Sequence, residues 1–258
     1  MPHIGTAWYR NTFTLPKEIK GKKVLLLFEG AMSEPQVYLN GKKVGEWAYG
    51  YSYFYFDVSQ FIQEGANTVA VKLSNKEFAS RWYPGAGLYR KVSVIIKNNE
   101  SIDQWGQFIT TPFISDAVAK VNIKTKASGE NTRLVTTIFD AEGHKVSAEE
   151  SSLRFGKEFD QNLKVENPKL WSPETPYLYK AVAQLYVGNE LKDEVATRFG
   201  IREIKYEANK GFSLNGKVTK FKGVCLHHDL GPLGAAVNKA ALRRQLTILK
   251  DMGCNAIR

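Results

Sequence analysis

The 258-residue sequence predicts a mainly β fold, with two antiparallel sandwiches in series followed by one strand–helix–strand unit. Three observations carry this reading. Up to about residue 200, short apolar or alternating runs follow one another with Gly- and Asn-containing turns between them. No helical period interrupts those runs, which is the grammar of antiparallel sheets. A stripe at helical spacing, Leu242, Leu246, Leu249 and Met252, comes only near the end, between two buried-strand patterns.

The first sandwich is assigned to residues 1–98. Trp8, Arg10, Thr12 and Thr14 alternate against Tyr9, Asn11, Phe13 and Leu15, and residues 24–28 form a continuous buried run. Residues 37–39 lead into Asn40-Gly41, a hairpin signal because both residue types accept positive φ. Runs at 51–58, 67–73 and 89–96 complete the set. The second sandwich, residues 99–200, is built from an alternating run at 120–126, a run at 133–139, a turn at 140–143 into 145–148, and a hairpin of 177–186 with 193–199 across Gly188-Asn189. Its size and strand spacing match an immunoglobulin-like domain without the cysteine pair of antibodies.

Residues 201–258 change character. A small hairpin forms at Asn215-Gly216, residues 223–226 read as a buried strand, and Asn238 is an N-cap for a helix over 239–252 that Gly253 stops. Residues 254–258 open a second buried strand. One such crossover is present where a (β/α)8 barrel needs eight.

Composition narrows the function. The net charge of +10 arises from lysines scattered singly or in pairs at turns and on strand faces, without the basic patch that nucleic-acid binding requires. No apolar run approaches a membrane span, and residues 1–5 do not form a signal peptide, which leaves the compartment unassigned. Cys225 and Cys254 lie in apolar contexts and are expected to be buried, reduced thiols.

Several ordered motifs resemble those of glycoside hydrolase family 2, the β-galactosidases, β-glucuronidases and β-mannosidases. The segments "WYRNTFTLP", "VYLNGKKVGEWAYGYSYFYFDVS", "GANTVAVKLSN" and "RWYPGAGLYRKVSV" are similar to the family's sugar-binding jelly roll. "LWSPETPYLY" and "RFGIREI" resemble the end of its immunoglobulin-like domain. "FSLNGKVTKFKGVCLHHD" and "LKDMGCNAIR" resemble the first two strands of its TIM barrel, and "LHHDLGPLGAA" is nearest to the β-galactosidase branch. The resemblance implies a jelly roll, an immunoglobulin-like sandwich and the start of a truncated TIM (β/α)8 barrel, within a homo-oligomeric enzyme that cleaves terminal β-galactosides or related β-glycosides. No organic cofactor is implied. Some relatives use magnesium or sodium at the barrel, and no metal ligand is assigned here.

Retaining hydrolysis needs two carboxyl groups about 5–5.5 Å apart. In the family both are glutamates on later barrel strands, the acid/base within an Asn-Glu pair, so neither is expected within this chain. Asn99-Glu100 and Asn189-Glu190 read instead as solvated joint and turn residues. Arg258 matches the family arginine that hydrogen-bonds the nucleophilic carboxylate and is normally followed by a Ser-His pair and a proline. His227 matches a histidine that touches sugar hydroxyls, and alternation puts Cys225, His227 and Asp229 on one face. For His227 a metal site and local hydrogen bonding are the other readings, and Asp229 stands where many relatives carry His. Arg81 and Trp82 can reach a sugar by hydrogen bonding and stacking, or serve a Pro-Gly loop structurally. Trp47, Tyr49, Tyr51, Tyr53 and Tyr55 read as core and packing residues rather than a carbohydrate platform. The competing reading of the whole chain is a non-catalytic carbohydrate-binding or assembly module.

Overall fold

The computed structural model describes residues 4–76, 86–227, 230–236 and 238–258. Two compact units divide the chain, Met1–Lys97 with Lys222–Arg258, and Asn98–Phe221.

In the first unit, residues 1–97 form β1 (Gly5–Leu15), β2 (Lys23–Phe28), β3 (Gln36–Leu39), β4 (Lys42–Glu46), β5 (Phe54–Asp57), β6 (Gly65–Asn75) and β7 (Val92–Lys97). These make two antiparallel sheets, ordered β1-β6-β3-β4 and β5-β2-β7. The alternation in β3 and β6 sends Val37, Leu39, Val71 and Leu73 into the core, where they meet Val24, Leu26 and Phe28 of β2 and Phe54 of β5. The Asn40-Gly41 turn forms as expected, with φ of 50° and 80°. The Asn40 amide also donates to the Phe61 carbonyl and to Asn67 Oδ1, and its own oxygen accepts the Thr68 N–H, all at 2.9 Å. Asn67, fully buried, donates to the Gln63 and Gly65 carbonyls and accepts the Gln63 N–H. Two side chains, one of them fully buried, thus pair the polar backbone groups of the 61–68 loop and tie it to the β3–β4 turn.

The second unit contains β8 (Ser101–Ile114), β9 (Val118–Ser128), β10 (Thr132–Phe139), β11 (Lys145–Leu153), β12 (Glu158–Glu166), β13 (Tyr179–Val187) and β14 (Glu190–Phe199). Its sheets run β11-β10-β13-β14 and β12-β9-β8. Val121, Ile123, Ile138, Leu163 and Ala181 fill one part of the core, and Ile102, Leu134, Phe159 and Leu185 another. Gln161 of β12 is fully buried among them and accepts a 2.6 Å hydrogen bond from Thr136 of the facing sheet. Its amide donates to the Leu134 and Glu149 carbonyls. A small sheet of β15 (Ile204–Glu207), β16 (Gly211–Leu214) and β17 (Lys217–Val218) follows in the same unit. Asn215 of its Asn-Gly turn accepts the Glu203 N–H and donates to the Trp171 carbonyl, both at 3.0 Å.

The rest of the first unit is β18 (Gly223–Val224), α1 (Lys239–Asp251) and β19 (Ala256–Ile257), with the two strands parallel. Asn238 caps the helix by accepting the Ala240 and Ala241 N–H groups at 3.0 and 3.1 Å, and Gly253 ends it at φ 85°.

Four expectations need correction or addition. Strands β8 and β12 join the runs that the pattern suggested. In β8 two register shifts and Trp105 at φ 56° break the period, and in β12 buried Gln161 stands where an apolar residue belongs. The aromatic run is not core: Trp47 is 40% and Tyr49 61% exposed, and Tyr53 and Tyr55 are exposed as well. Residues 47–53 form a turn, where strand alternation does not hold, and within β5 it is Phe54 that points inward. The helical stripe is only half covered. Leu242 and Leu249 are partly buried, but Leu246 is exposed and Met252 is 69% exposed, because two strands of two residues cover a narrow strip of the helix. For the same reason Cys225 is exposed rather than buried and Cys254 is intermediate, and both are free thiols.

Hydrogen exchange, titration and thiol labelling each test one of these features. Asn67→Ala removes its hydrogen bonds to Gln63, Gly65 and Asn40, so hydrogen exchange of the β3 amides should show their opening free energy lowered by about 2–3 kcal/mol. The β13 amides of the other unit serve as the unaffected reference, and unchanged β3 protection would contradict the role given to Asn67. The Tyr177 hydroxyl donates to Glu142 at 2.7 Å and, with the backbone and Lys169, holds that carboxyl below its ordinary 4.5. Its stabilisation is therefore present above that value and is lost as pH falls through the lowered folded pKa. Tyr177→Phe should move the Glu142 titration, followed by NMR, back upward. Finally, a thiol reagent added to native protein should label Cys225 before Cys254, and the reverse order would refute the exposure described.

Candidate functional site

Chemistry-bearing residues gather at the C-terminal end of the parallel pair. Gly223 permits the pairing, since a Cβ there would collide with the Ala256 carbonyl of the neighbouring strand. Asn255 fixes the register at the entry: its side-chain oxygen accepts the Lys222 N–H and its own N–H donates to the Lys222 carbonyl, both at 2.8 Å. At the exit the Arg258 N–H donates to the Val224 carbonyl at 3.0 Å, and the Leu226 N–H to the Arg258 carbonyl at 2.8 Å. Parallel register then brings the next side chains together, and Arg258 Nη1 lies 3.7 Å from Cys225 Sγ.

Of the residues singled out from sequence, Arg258 and His227 therefore sit at the same strand end, both exposed. Among the described residues Arg258 has no carboxylate partner, which leaves its guanidinium donors available to an acidic group. Asp229, Arg81 and Trp82 lie outside the described residues. Cys225 and Asn255 were missed as members of the site. The register of the two strands was the signal that pairs Cys225 with Arg258, and an Asn placed just before an apolar strand was the signal for Asn255.

No carboxyl pair in the described residues has the character of an acid and a nucleophile. Glu190 sits at the start of β14 in an ion pair with Lys192 at 2.5 Å, and Asn189 belongs to the preceding turn. Among the described residues four carboxylates have pKa values that move, Glu46, Asp140, Glu142 and Glu174, and all move downward. For Glu46 the first cause is the Lys43 hydrogen bond and for Glu142 the Tyr177 hydrogen bond. A general acid requires the opposite shift. Nor do three His, Cys, Asp or Glu side chains converge to hold a metal ion among the described residues.

Comparison with known proteins identifies the family of the chain. Residues 2–105 match the model of the glycosyl hydrolases family 2 sugar binding domain, and residues 102–202 match that of glycosyl hydrolases family 2. The beta-galactosidase BoGH2A of Bacteroides ovatus is 40% identical over 98% of this chain, which spans 31% of that protein. A beta-glucuronidase of Bacteroides fragilis is 29% identical over 98% of the chain, which spans 39% of it. A solved family 2 member from Bacteroides cellulosilyticus superposes with a TM-score of 0.93 at 35% identity, covering 98% of this chain and 34% of that one. The chain spans about a third of the length of the relatives it matches. With two family models covering both sandwiches and the fold shared with a family member over nearly all residues, the chain belongs to glycosyl hydrolases family 2.

Proposed function

We propose that this chain serves a retaining β-glycosidase, a β-galactosidase in the first instance, as its jelly roll (residues 1–98), immunoglobulin-like domain (99–200) and the opening strands of a TIM barrel (201–258). Both glutamates of the double displacement belong to the part of the barrel outside these residues. The observation that carries the reading is the Arg258 guanidinium, free of carboxylate partners among the described residues and held at the C-terminal end of a parallel strand. Catalytic side chains of a (β/α)8 barrel project from that face. There Arg258 donates to the nucleophilic carboxylate, orients it toward the anomeric carbon and keeps it ionised. His227, at the same strand end, hydrogen-bonds sugar hydroxyls, and Arg81, Trp82 and Asp229, which lie outside the described residues, are assigned to sugar contact from the sequence alone. The galactoside reading is supported by the β-galactosidase-like "LHHDLGPLGAA" segment and by the Bacteroides ovatus relative at 40% identity, with a putative beta-glucuronidase of Formosa agariphila at 38%. The intact enzyme is a homo-oligomer in this reading, and the 258 residues alone are inactive.

The test extends the reading frame beyond Arg258 in the source DNA and assays the product on p-nitrophenyl β-galactoside and β-glucuronide. We expect galactoside cleavage with retained anomeric configuration by NMR, and no turnover by the 258-residue chain. Arg258→Ala in the longer product should lower kcat/KM about a hundredfold, the scale of a lost charge-assisted hydrogen bond. A stop codon directly after Arg258, or a longer product without glycosidase activity, would sink the proposal.

A further inference from the structure

The outer face of the β1-β6-β3-β4 sheet carries a groove of about 550 Å³, lined by Glu34, Gln36, Glu46, Trp47, Lys72 and Ser74. Register explains why these residues share a face. Trp8 pairs with Lys72, Lys72 with Gln36, and Gln36 with Glu46, so one cross-strand row runs over all four strands. The volume falls within the range of about 300–1,000 Å³ typical of small-molecule sites.

Aromatic rings bound the row at both ends, Trp47 in the groove lining and Trp8 beside it on β1. At one end the Trp47 indole N–H donates to Ser52 Oγ at 2.9 Å. Trp47 also stacks on Phe54 at 5.5 Å and 13°, and Phe54 stacks on buried Phe28 at 4.9 Å and 6°. A column of three rings therefore rises from the core and ends in an indole that lines the groove, with its rotamer already fixed. At the other end Trp8, 57% exposed, leans on Tyr38 at 5.5 Å.

Between the rings, hydrogen-bonding groups of both kinds remain open. Lys72 makes no ion pair or hydrogen bond among the described residues. Glu34 engages Lys76 and Glu46 engages Lys43 through one oxygen each, at 2.7 Å, leaving the second oxygen of each as an acceptor. Gln36 offers its amide N–H groups, its oxygen being approached by the Tyr38 hydroxyl at 3.3 Å. A neutral polyhydroxylated ring uses donors and acceptors together and stacks an apolar C–H face on an indole. An anionic ligand would meet two carboxylates, and a cationic one would meet Lys72.

We propose that this groove binds one or two neutral pyranose residues of a glycan, with Trp47 and Trp8 as stacking platforms and Lys72, Gln36, Glu34 and Glu46 as hydroxyl partners. The family description of residues 2–105 names no binding residues, and this assignment goes beyond the proposed hydrolysis. The test titrates the 258-residue chain with methyl β-galactopyranoside and with lactose, following the indole N–H signals by NMR. Saturable shifts of the Trp8 and Trp47 signals are expected, with a dissociation constant on the order of millimolar. Trp47→Ala, Trp8→Ala and Lys72→Met should each weaken binding about tenfold or more. Because Trp47 leans on the core, the exposed positions Trp8 and Lys72 decide the matter if Trp47→Ala does not fold. Shifts that stay absent or linear with added sugar, or a Kd unchanged by Trp8→Ala and Lys72→Met, would overturn the proposal. The titration needs no catalysis, so binding at this groove and hydrolysis by a longer product succeed or fail independently.

Discussion

Every turn that a β-sandwich tucks against its core brings backbone N–H and C=O groups with it, and these must find partners away from water. Here asparagine side chains meet much of that demand. Asn40 and Asn67 together tie the 61–68 loop to the β3–β4 hairpin. Asn215 joins the chain leaving β14 to Trp171, and Asn255 locks the two parallel strands. Once the Asn40 hairpin sets the pairing of β3 with β4, the facing of Gln36 and Glu46 on the outer surface follows. Surface chemistry on that sheet therefore depends on a turn at its far end.

The second unit solves the same problem inside its core. It lacks a disulfide between its sheets, and Gln161 bridges them with hydrogen bonds to Thr136 and to two carbonyls. A fully satisfied buried amide specifies which strands face each other more sharply than apolar contact alone, because any slip strands its polar atoms. The large Ile, Leu and Phe side chains around it supply the bulk of the burial.

Local signals were legible in the sequence and contextual ones were not. The Asn-Gly turns, the Asn238 cap and the Gly253 stop act through their own backbone conformations and need no knowledge of the rest of the fold. The sandwich strands with clean alternation, such as β9 and β10, were equally readable. Burial was harder. The run from Trp47 to Tyr55 alternates like a strand, yet most of it is a turn, and Cys225 and Met252 look buried by type but have too little sheet above them. At the candidate site, the meeting of Arg258 with the end of β18 was implied by a parallel βαβ reading, whereas the thiol contact needed the exact register. Arg81, Trp82 and Asp229 lie outside the described residues, and their assignments rest on resemblance.

The column of Phe28, Phe54 and Trp47 has an evolutionary reading. Residues that meet solvent usually drift independently of the interior, because nothing rigid connects them. Here the tilt of an exposed indole is inherited from a ring packed in the core, so a change at Phe28 or Phe54 rewrites the surface even where it leaves the fold standing. Interior and exterior positions of this sheet are thereby exposed to common selection, and in a lineage of such chains they should be found to change together.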